Sequence, residues 1–122
     1  MYKRQLYDNY KDQIYIKHLY GPLFFGFTSH FQQEIKALDN EVKALIIRFD
    51  RVPYIDQSGL YALENAILDL HNRGVEVVIT GLQEQPKDKL ESIDIIPDLI
   101  SENQSVETID EAFNYLKSHF KL

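Results

Sequence analysis

The segment from Ala44 to Thr80 restricts the possible folds more than any other part of this 122-residue chain. Ala44–Phe49 is apolar at every position except Arg48, which is typical of a strand that is covered on both faces. An amphipathic helical pattern follows from about Ser58 to Arg73, and Val75–Thr80 is again rich in β-branched residues. Strand, helix and strand in this order predict a βαβ unit whose two strands are parallel.

The residues between the first strand and the helix of this unit form the candidate functional segment. Val52–Leu60 ends in the motif Asp56, Gln57, Ser58, Gly59 and Leu60. In open α/β sheets, ligands bind outside the carboxyl end of a strand, where the first N–H groups of the next helix have no partner within that helix. A phosphate on Ser58 would meet those N–H groups. In the alternative interpretation, Asp56 or Ser58 is an ordinary N-cap that serves stability alone.

Two elements are predicted before this unit. Gln13–Tyr20 has the β-branched and aromatic content of a strand, and Gly21-Pro22 ends it. A helix is then expected to about Leu38, because apolar residues recur at steps of three and four. This stripe consists of Phe24, Phe27, Phe31, Ile35 and Leu38. We interpret residues 1–12 as a linker or an edge strand, and residues 13–122 as a single domain.

Three shorter elements are predicted after the unit. Pro86 is expected to start a short helix that ends near Ile93. A short strand is expected at Leu99–Ser101. Thr108–Glu111 has the pattern of a capping box, and the apolar stripe that follows predicts a last helix as far as Phe120.

Composition excludes several classes of protein. The chain has no cysteine, which rules out disulfides, thiolate catalysis and zinc–thiolate sites and fits a reducing compartment. The formal net charge is −6 without a visible basic patch, so nucleic acid is not an expected partner. The apolar runs are too short to cross a bilayer and no signal peptide is visible, so we expect a soluble intracellular domain.

No constellation of catalytic residues is visible. His18, His30, His71 and His119 lie on different predicted elements without metal-ligand spacing, and Ser58 lacks the surroundings of a nucleophile elbow. There is no phosphate-binding loop of the P-loop or GxGxxG kind. Asp50 and Asp56 are candidates for a carboxylate pair near one strand end. Arg51 is a candidate partner for either of them, or for a phosphate. We therefore expect a protein that is not an enzyme and holds no metal.

Three segments resemble the STAS domain (sulfate transporter and anti-sigma factor antagonist). They are Gly21–Gly26, with the sequence GPLFFG, Val52–Leu60, with the sequence VPYIDQSGL, and Gly74–Gly81, with the sequence GVEVVITG. The resemblance is strongest to the branch at the cytoplasmic C-terminus of sulfate permease-type (SulP) anion transporters, and it covers the chain from about Asp8 to Leu122. The GPLFFG segment upstream of the Asp-x-Ser-Gly core is what favours the transporter branch.

The resemblance implies an α/β fold with a four- to five-stranded mixed sheet and about four helices. It implies a non-catalytic regulatory domain on the cytoplasmic face of the membrane, which supports transport of sulfate or a related anion. The expected partners are the transmembrane domain of the same transporter, a regulatory protein, and a second copy through the full-length transporter. No cofactor is implied, apart from nucleotide binding suggested for STAS domains, for which Asp56–Leu60 is the expected place.

The resemblance also carries an alternative function. In the anti-sigma factor antagonist branch, a partner kinase phosphorylates the serine before the glycine, and this modification switches partner binding. That serine corresponds to Ser58, and Asp56 is the acid of the motif. A free-standing antagonist with Ser58 as phosphoacceptor is therefore the second hypothesis, and a small enzyme or nucleotide-binding protein is the third.

Overall fold

A computed structural model describes residues 13–23 and 27–119 of the chain; the side chains of residues 27 and 28 lie outside this description. The strands are β1 (Ile14–Tyr20), β2 (Ala44–Arg51), β3 (Glu76–Thr80) and β4 (Ser105–Val106). The α-helices are α1 (Phe27–Lys36), α2 (Gln57–Asn72), α3 (Glu84–Ser92) and α4 (Ile109–His119). An irregular π-helical turn at Ile95–Leu99 and a 3-10 turn at Glu102–Gln104 connect α3 to β4.

The four strands form one sheet in the order β1-β2-β3-β4. All three pairings among the described residues are parallel, with Ile16 opposite Ile46 and Ile46 opposite Val78. The predicted βαβ unit is confirmed, because β2 and β3 are parallel neighbours joined by α2. The expectation of a mixed sheet is wrong for this part of the chain, since a helix returns the chain between each pair of the first three strands. Residues 1–12, interpreted as a linker or edge strand, lie outside the described residues.

The sheet separates two apolar clusters. The larger cluster lies between the sheet and helices α1, α2 and α3, and includes the fully buried Phe31, Phe49 and Leu63. The smaller cluster lies on the opposite face, where Phe113 and Leu116 of α4 cover Ile46. Strand β2 contributes to both clusters, which explains why its sequence is apolar at successive positions.

Helix α4 is also attached to the sheet by a polar network. The Tyr115 hydroxyl donates to Glu76 Oε2 at 2.6 Å, and Gln104 Nε2 donates to the same oxygen at 3.2 Å and to the Val77 carbonyl at 2.8 Å. Burial, followed by the hydrogen bond to the Glu76 carboxylate and its charge, raises the pKa of Tyr115 above its usual value. Tyr115 therefore stays protonated and acts as a hydrogen-bond donor that fixes α4 on β3.

The helix boundaries differ from the predicted ones in small ways. Helix α2 begins at Gln57 and α3 begins at Glu84, so Pro86 occupies the third position of α3. Helix α4 is capped as expected, because the Glu111 N–H donates to Thr108 Oγ1 at 3.2 Å. Phe24 and the side chain of Phe27 lie outside the described residues, whereas Phe31 and Ile35 of the same stripe are buried.

The predicted strand at Leu99–Ser101 is wrong. Leu99 belongs to the π-helical turn, and Ser101 is the N-cap of the 3-10 turn that follows. The fourth strand is Ser105–Val106, which pairs with Ile79 and Thr80 of β3. A strand of two residues has no alternation pattern of its own, so its place depends on the neighbouring strand rather than on local sequence.

Candidate functional site

Asp56 is the N-cap of α2. Its backbone is extended, with φ −89° and ψ 178°, and its Oδ1 accepts a hydrogen bond from the Gly59 N–H at 2.8 Å. This contact satisfies one of the N–H groups that have no partner within the helix. Of the two cap candidates that the sequence offered, the structure therefore assigns the capping role to Asp56.

Ser58 occupies the second position of the same helix and is half-buried. Its hydroxyl donates to Asp56 Oδ1 at 2.9 Å, the same oxygen that accepts from Gly59. A phosphate on this hydroxyl would remove that hydrogen bond and place two further negative charges beside the Asp56 carboxylate. The helix N-terminus would attract the phosphate while Asp56 would repel it.

Gly59 is required by close packing at this point. A Cβ on Gly59 would lie 2.9 Å from the Leu23 carbonyl oxygen and 3.1 Å from Ile55 Cγ1. The Leu23 segment approaches because it pairs with the loop, with Leu23 N–H donating to the Tyr54 carbonyl at 2.9 Å and Asp56 N–H donating to the Leu23 carbonyl at 3.0 Å. The first and second resembling segments thus meet in space beside Gly59.

Two glutamines hold the loop from the opposite side, and sequence reasoning missed both. Gln85 Oε1 accepts from the Ile55 N–H at 3.0 Å, and Gln85 Nε2 donates to the Ile55 carbonyl at 3.1 Å. Gln83 Nε2 donates to the Asp50 carbonyl at 3.1 Å. A side-chain amide has one donor and one acceptor group and so pairs with a backbone unit as a strand would. No local pattern indicates such a contact, because thirty residues separate Gln85 from Ile55.

Asp50 pairs with Arg48 rather than with Arg51. The Arg48 guanidinium lies 3.1 Å from Asp50 Oδ2, and the Thr80 hydroxyl donates to Asp50 Oδ1 at 3.1 Å. Arg51 instead lies over the Tyr20 ring, with 5.9 Å from its Cζ to the ring centroid. Of the three candidate partners that the sequence offered for Arg51, neither Asp50 nor Asp56 forms an ion pair with it among the described contacts, and a phosphate stays an untested candidate.

The exposed side of α2 carries apolar side chains next to the motif. Tyr61 is 45% exposed and Leu68 is 42% exposed, and two helical turns place them on one face. Gln57 Nε2 donates to the Tyr61 hydroxyl at 3.0 Å, which connects this face to the first residue of the helix. We call Gln57, Tyr61 and Leu68 the α2 surface. Leu60, the last residue of the motif, is buried in the core.

The geometry offers the motif serine no catalytic partner among residues 13–23 and 27–119. The hydrogen bond recorded for its hydroxyl goes to Asp56, and the described residues include no group of histidine, aspartate and glutamate arranged to hold a metal ion. Within the same residues, no helix has the length and apolar character needed to cross a bilayer. The site that remains is a capped helix start with an adjacent exposed face.

Comparison with known sequences places this geometry in a family. A model of the STAS domain matches residues 9–112. The chain is 30% identical over 88 residues to the Bicarbonate transporter BicA of Synechocystis sp. and 32% identical over 71 residues to the Putative sulfate transporter YvdB of Bacillus subtilis. It is also 30% identical over 83 residues to Glutaminase 2 of Bradyrhizobium diazoefficiens.

These matches cover different shares of the proteins. They span 72%, 57% and 68% of this chain, respectively, but only 15%, 13% and 13% of the three relatives. The chain is therefore similar to one small part of much longer proteins, two of which carry transporter names.

Solved structures have the same fold. A sulfate transporter family protein from Wolinella succinogenes superposes with a TM-score of 0.80 at 27% identity, covering 89% of this chain and 88% of that one. The STAS domain of a SulP transporter from Vibrio cholerae gives 0.75 at 26% identity, covering 89% and 84%. The anti-sigma factor antagonist SpoIIAA gives 0.73 at 14% identity, covering 88% and 90%, and shares the fold. The chain therefore belongs to the STAS domain family.

Proposed function

We propose that this STAS domain is the cytoplasmic regulatory and interaction domain of a sulfate permease-type anion transporter, without catalytic activity of its own. The observation that carries the proposal is the similarity to two proteins named as bicarbonate and sulfate transporters, together with the SulP STAS domain from Vibrio cholerae. The transmembrane domain of the same transporter is the proposed partner, and sulfate or a related anion is the proposed cargo.

The α2 surface is the part of the domain that we assign to partner contact. Exposed aromatic and aliphatic side chains on one helix face lose little by leaving water, and aromatic residues are enriched at protein interfaces. The start of α2 is held in place by the Asp56 cap and by the two hydrogen bonds between the Gln85 side chain and the Ile55 backbone, which we call the Gln85 clamp. The α2 surface is therefore preorganised for docking. A rigid docking face fits a domain that transmits a conformational state rather than one that performs chemistry.

Anion uptake by the full-length transporter tests this proposal. Cells that express the complete gene are compared with cells that express a version lacking residues 13–122, using labelled sulfate and bicarbonate. Tyr61→Ala and Leu68→Ser are expected to lower uptake while the protein reaches the membrane at normal levels. Lys89→Ala, on the exposed side of α3, is the matched control and should leave uptake unchanged. Uptake and regulation that are insensitive to removal of the domain would overturn the proposal.

One observation supports a second function, a free-standing antagonist that is switched by phosphorylation of Ser58. The half-buried hydroxyl at the second position of α2 forms its hydrogen bond with the capping carboxylate, so modification would disturb the helix start directly. Mass spectrometry of the protein from its native cells tests this function, with Ser58→Ala as control. A phosphate on Ser58 that is absent from the control is the expected result for a switch; its absence under all growth conditions would remove this function.

A further inference from the structure

A bulge in β2 brings two arginines to the same face of the sheet. His18 pairs with Arg48, but Tyr20 pairs with Arg51, so β2 contains one residue more than β1 between these two pairs. In a regular strand, residues three apart point to opposite faces. The extra residue reverses this relation, and residues that pair across neighbouring strands share a face. Arg48 and Arg51 therefore lie on the face that carries His18 and Tyr20.

These side chains line a pocket of about 190 Å³ at the carboxyl ends of β1 and β2, together with Leu19 and Asp50. The pocket lies on the sheet face that α4 covers farther back along the strands, where Ile14, Ala44 and Ile46 contact it. Ligands of open parallel sheets bind at the carboxyl ends of strands, so this position is favourable. The pocket is separate from the Ser58 hydroxyl, which lies at the start of α2.

The charges around the pocket favour an anion. Arg48 and Arg51 contribute two positive charges and Asp50 contributes one negative charge, although the chain as a whole has a net charge of −6. Asp50 is paired with Arg48, whereas the described residues supply no carboxylate to Arg51. The Arg51 Cζ lies 5.9 Å from the centroid of the Tyr20 ring, within the range of a cation–π contact, and such a contact does not use the guanidinium N–H groups as hydrogen-bond donors.

We propose that the pocket lined by His18, Tyr20, Arg48 and Arg51 binds a small oxyanion. A guanidinium group presents its N–H donors in a planar fork that suits an oxyanion, and Arg51 offers this fork to the pocket. Arg48 donates to Asp50 through Nε at 3.3 Å and Nη2 at 3.1 Å and adds its positive charge, while His18 and Tyr20 contribute polar groups to the lining. The site is mechanically connected to the α2 start, because the Gly21 N–H donates to the Arg51 carbonyl at 2.8 Å and the chain then continues to Leu23, which pairs with Ile55.

Nuclear magnetic resonance titration of the 122-residue chain tests the proposal. Sodium sulfate, sodium phosphate and adenosine monophosphate are each added at constant ionic strength, with sodium chloride as the reference for screening. We expect saturable shifts of the Arg48 and Arg51 side-chain signals and of the His18 and Tyr20 amides with the oxyanions alone. A comparison of phosphate with adenosine monophosphate separates a free ion from the phosphate of a nucleotide as the source.

Two variants make the test specific. Arg51→Gln removes a positive charge to which the described residues supply no carboxylate. It should weaken oxyanion binding about fivefold or more, since it deletes charge-assisted hydrogen bonds. Asp50→Asn releases Arg48 from its carboxylate partner and should tighten binding. Asp88→Asn, on the exposed side of α3, changes the net charge equally and is the matched control, for which binding should stay unchanged.

Other outcomes would overturn the proposal that this pocket binds an oxyanion. Shifts that grow linearly with sulfate without saturation would indicate general screening rather than binding. Equal affinity in the wild type and Arg51→Gln, or equal tightening by Asp50→Asn and Asp88→Asn, would show that the pocket does not hold the ion. Unfolding temperatures of all variants, measured without added oxyanion, establish that a loss of binding does not arise from a loss of folding.

Discussion

At the scale of single residues, one carboxylate oxygen organises the start of α2. Asp56 Oδ1 accepts from both the Ser58 hydroxyl and the Gly59 N–H, at 2.9 and 2.8 Å. The same residue therefore fixes the helix start and the orientation of the motif serine. A cap and a functional site are not exclusive interpretations here, because the capping residue is what positions the candidate phosphoacceptor.

Replacement of Asp56 tests this dual role. Asp56→Ala should destabilise the protein by about 1 kcal/mol, the usual effect of losing an N-cap. Asp56→Asn retains an oxygen that accepts from the Gly59 N–H and should cost much less. Urea unfolding of the two variants measures the difference in the free energy of unfolding. Equal stability of Asp56→Ala and the wild type would show that the cap contributes nothing.

The Asp50 carboxylate should make the free energy of unfolding depend on pH in the acid range. Burial alone would raise its pKa, but hydrogen bonds from Arg48 and Thr80 and the charge of Arg48 outweigh burial, so the pKa is lowered from its usual value of 3.8. A carboxyl with a lowered pKa in the folded state stabilises the protein above its unfolded pKa, and this stabilisation disappears as the pH falls through the folded value.

The expected result is a pH-dependent effect of Asp50→Asn. The variant should be less stable than the wild type near neutral pH, and the difference should shrink as the pH falls below 3.8. Because 38% of the Asp50 side chain is exposed, solvent screening keeps the effect small. Urea midpoints at neutral and acid pH measure it. A difference that is constant with pH would contradict the assigned pKa direction.

At the scale of structural elements, the Gln85 side chain connects the start of α3 to the loop before α2. It pairs with both backbone groups of Ile55, and Asp56 follows directly in the chain. The loop is thus held between Leu23 on one side and Gln85 on the other. This arrangement explains how a loop without regular structure can position Ser58.

Hydrogen exchange tests the Gln85 clamp. Gln85→Ala should increase the exchange rate of the Ile55 amide, because that N–H loses its acceptor, while amides in the middle of α2 should be affected less. Gln85→Glu retains the acceptor oxygen and should preserve more of the protection. A uniform increase across the whole chain would indicate general destabilisation and would contradict a local positioning role.

The elements that the sequence predicted well are those with local signals. Helix α2 was placed within a residue or two because Asp56 precedes it and Gly74, at φ 76°, follows it, and both act through neighbouring backbone groups. The strand β4 was misplaced because two residues carry no periodicity. The β2 bulge and the Gln85 clamp depend on residues far apart in the chain, which no local pattern reports.

Within the candidate site, too, local sequence indicates some features and not others. Asp56, Ser58 and Gly59 are identified from their place between a strand and a helix, whereas the sequence left several candidate partners for Arg51 open and did not indicate that Asp50 pairs with Arg48. A sequence shows that charges are near one another along the chain, but the bulge determines which face each side chain occupies. Arg48, which the sequence suggested only as an interruption of a buried strand, is the residue that pairs with Asp50.

At the scale of the whole molecule, helix α4 covers one face of the sheet and helices α1, α2 and α3 cover the other. The oxyanion pocket lies at the carboxyl ends of β1 and β2, whereas the α2 surface runs along the exposed side of α2. The chain spans only 15% and 13% of the length of the two relatives that carry transporter names.

Sequencing the gene upstream of the Met1 codon tests whether this domain serves a membrane anion transporter. We expect an in-frame coding region with repeated apolar stretches of about twenty residues, the length that spans a bilayer. A stop codon followed by a ribosome-binding site immediately before Met1 would contradict the claim. The phosphorylation switch at Ser58 would then become the leading function.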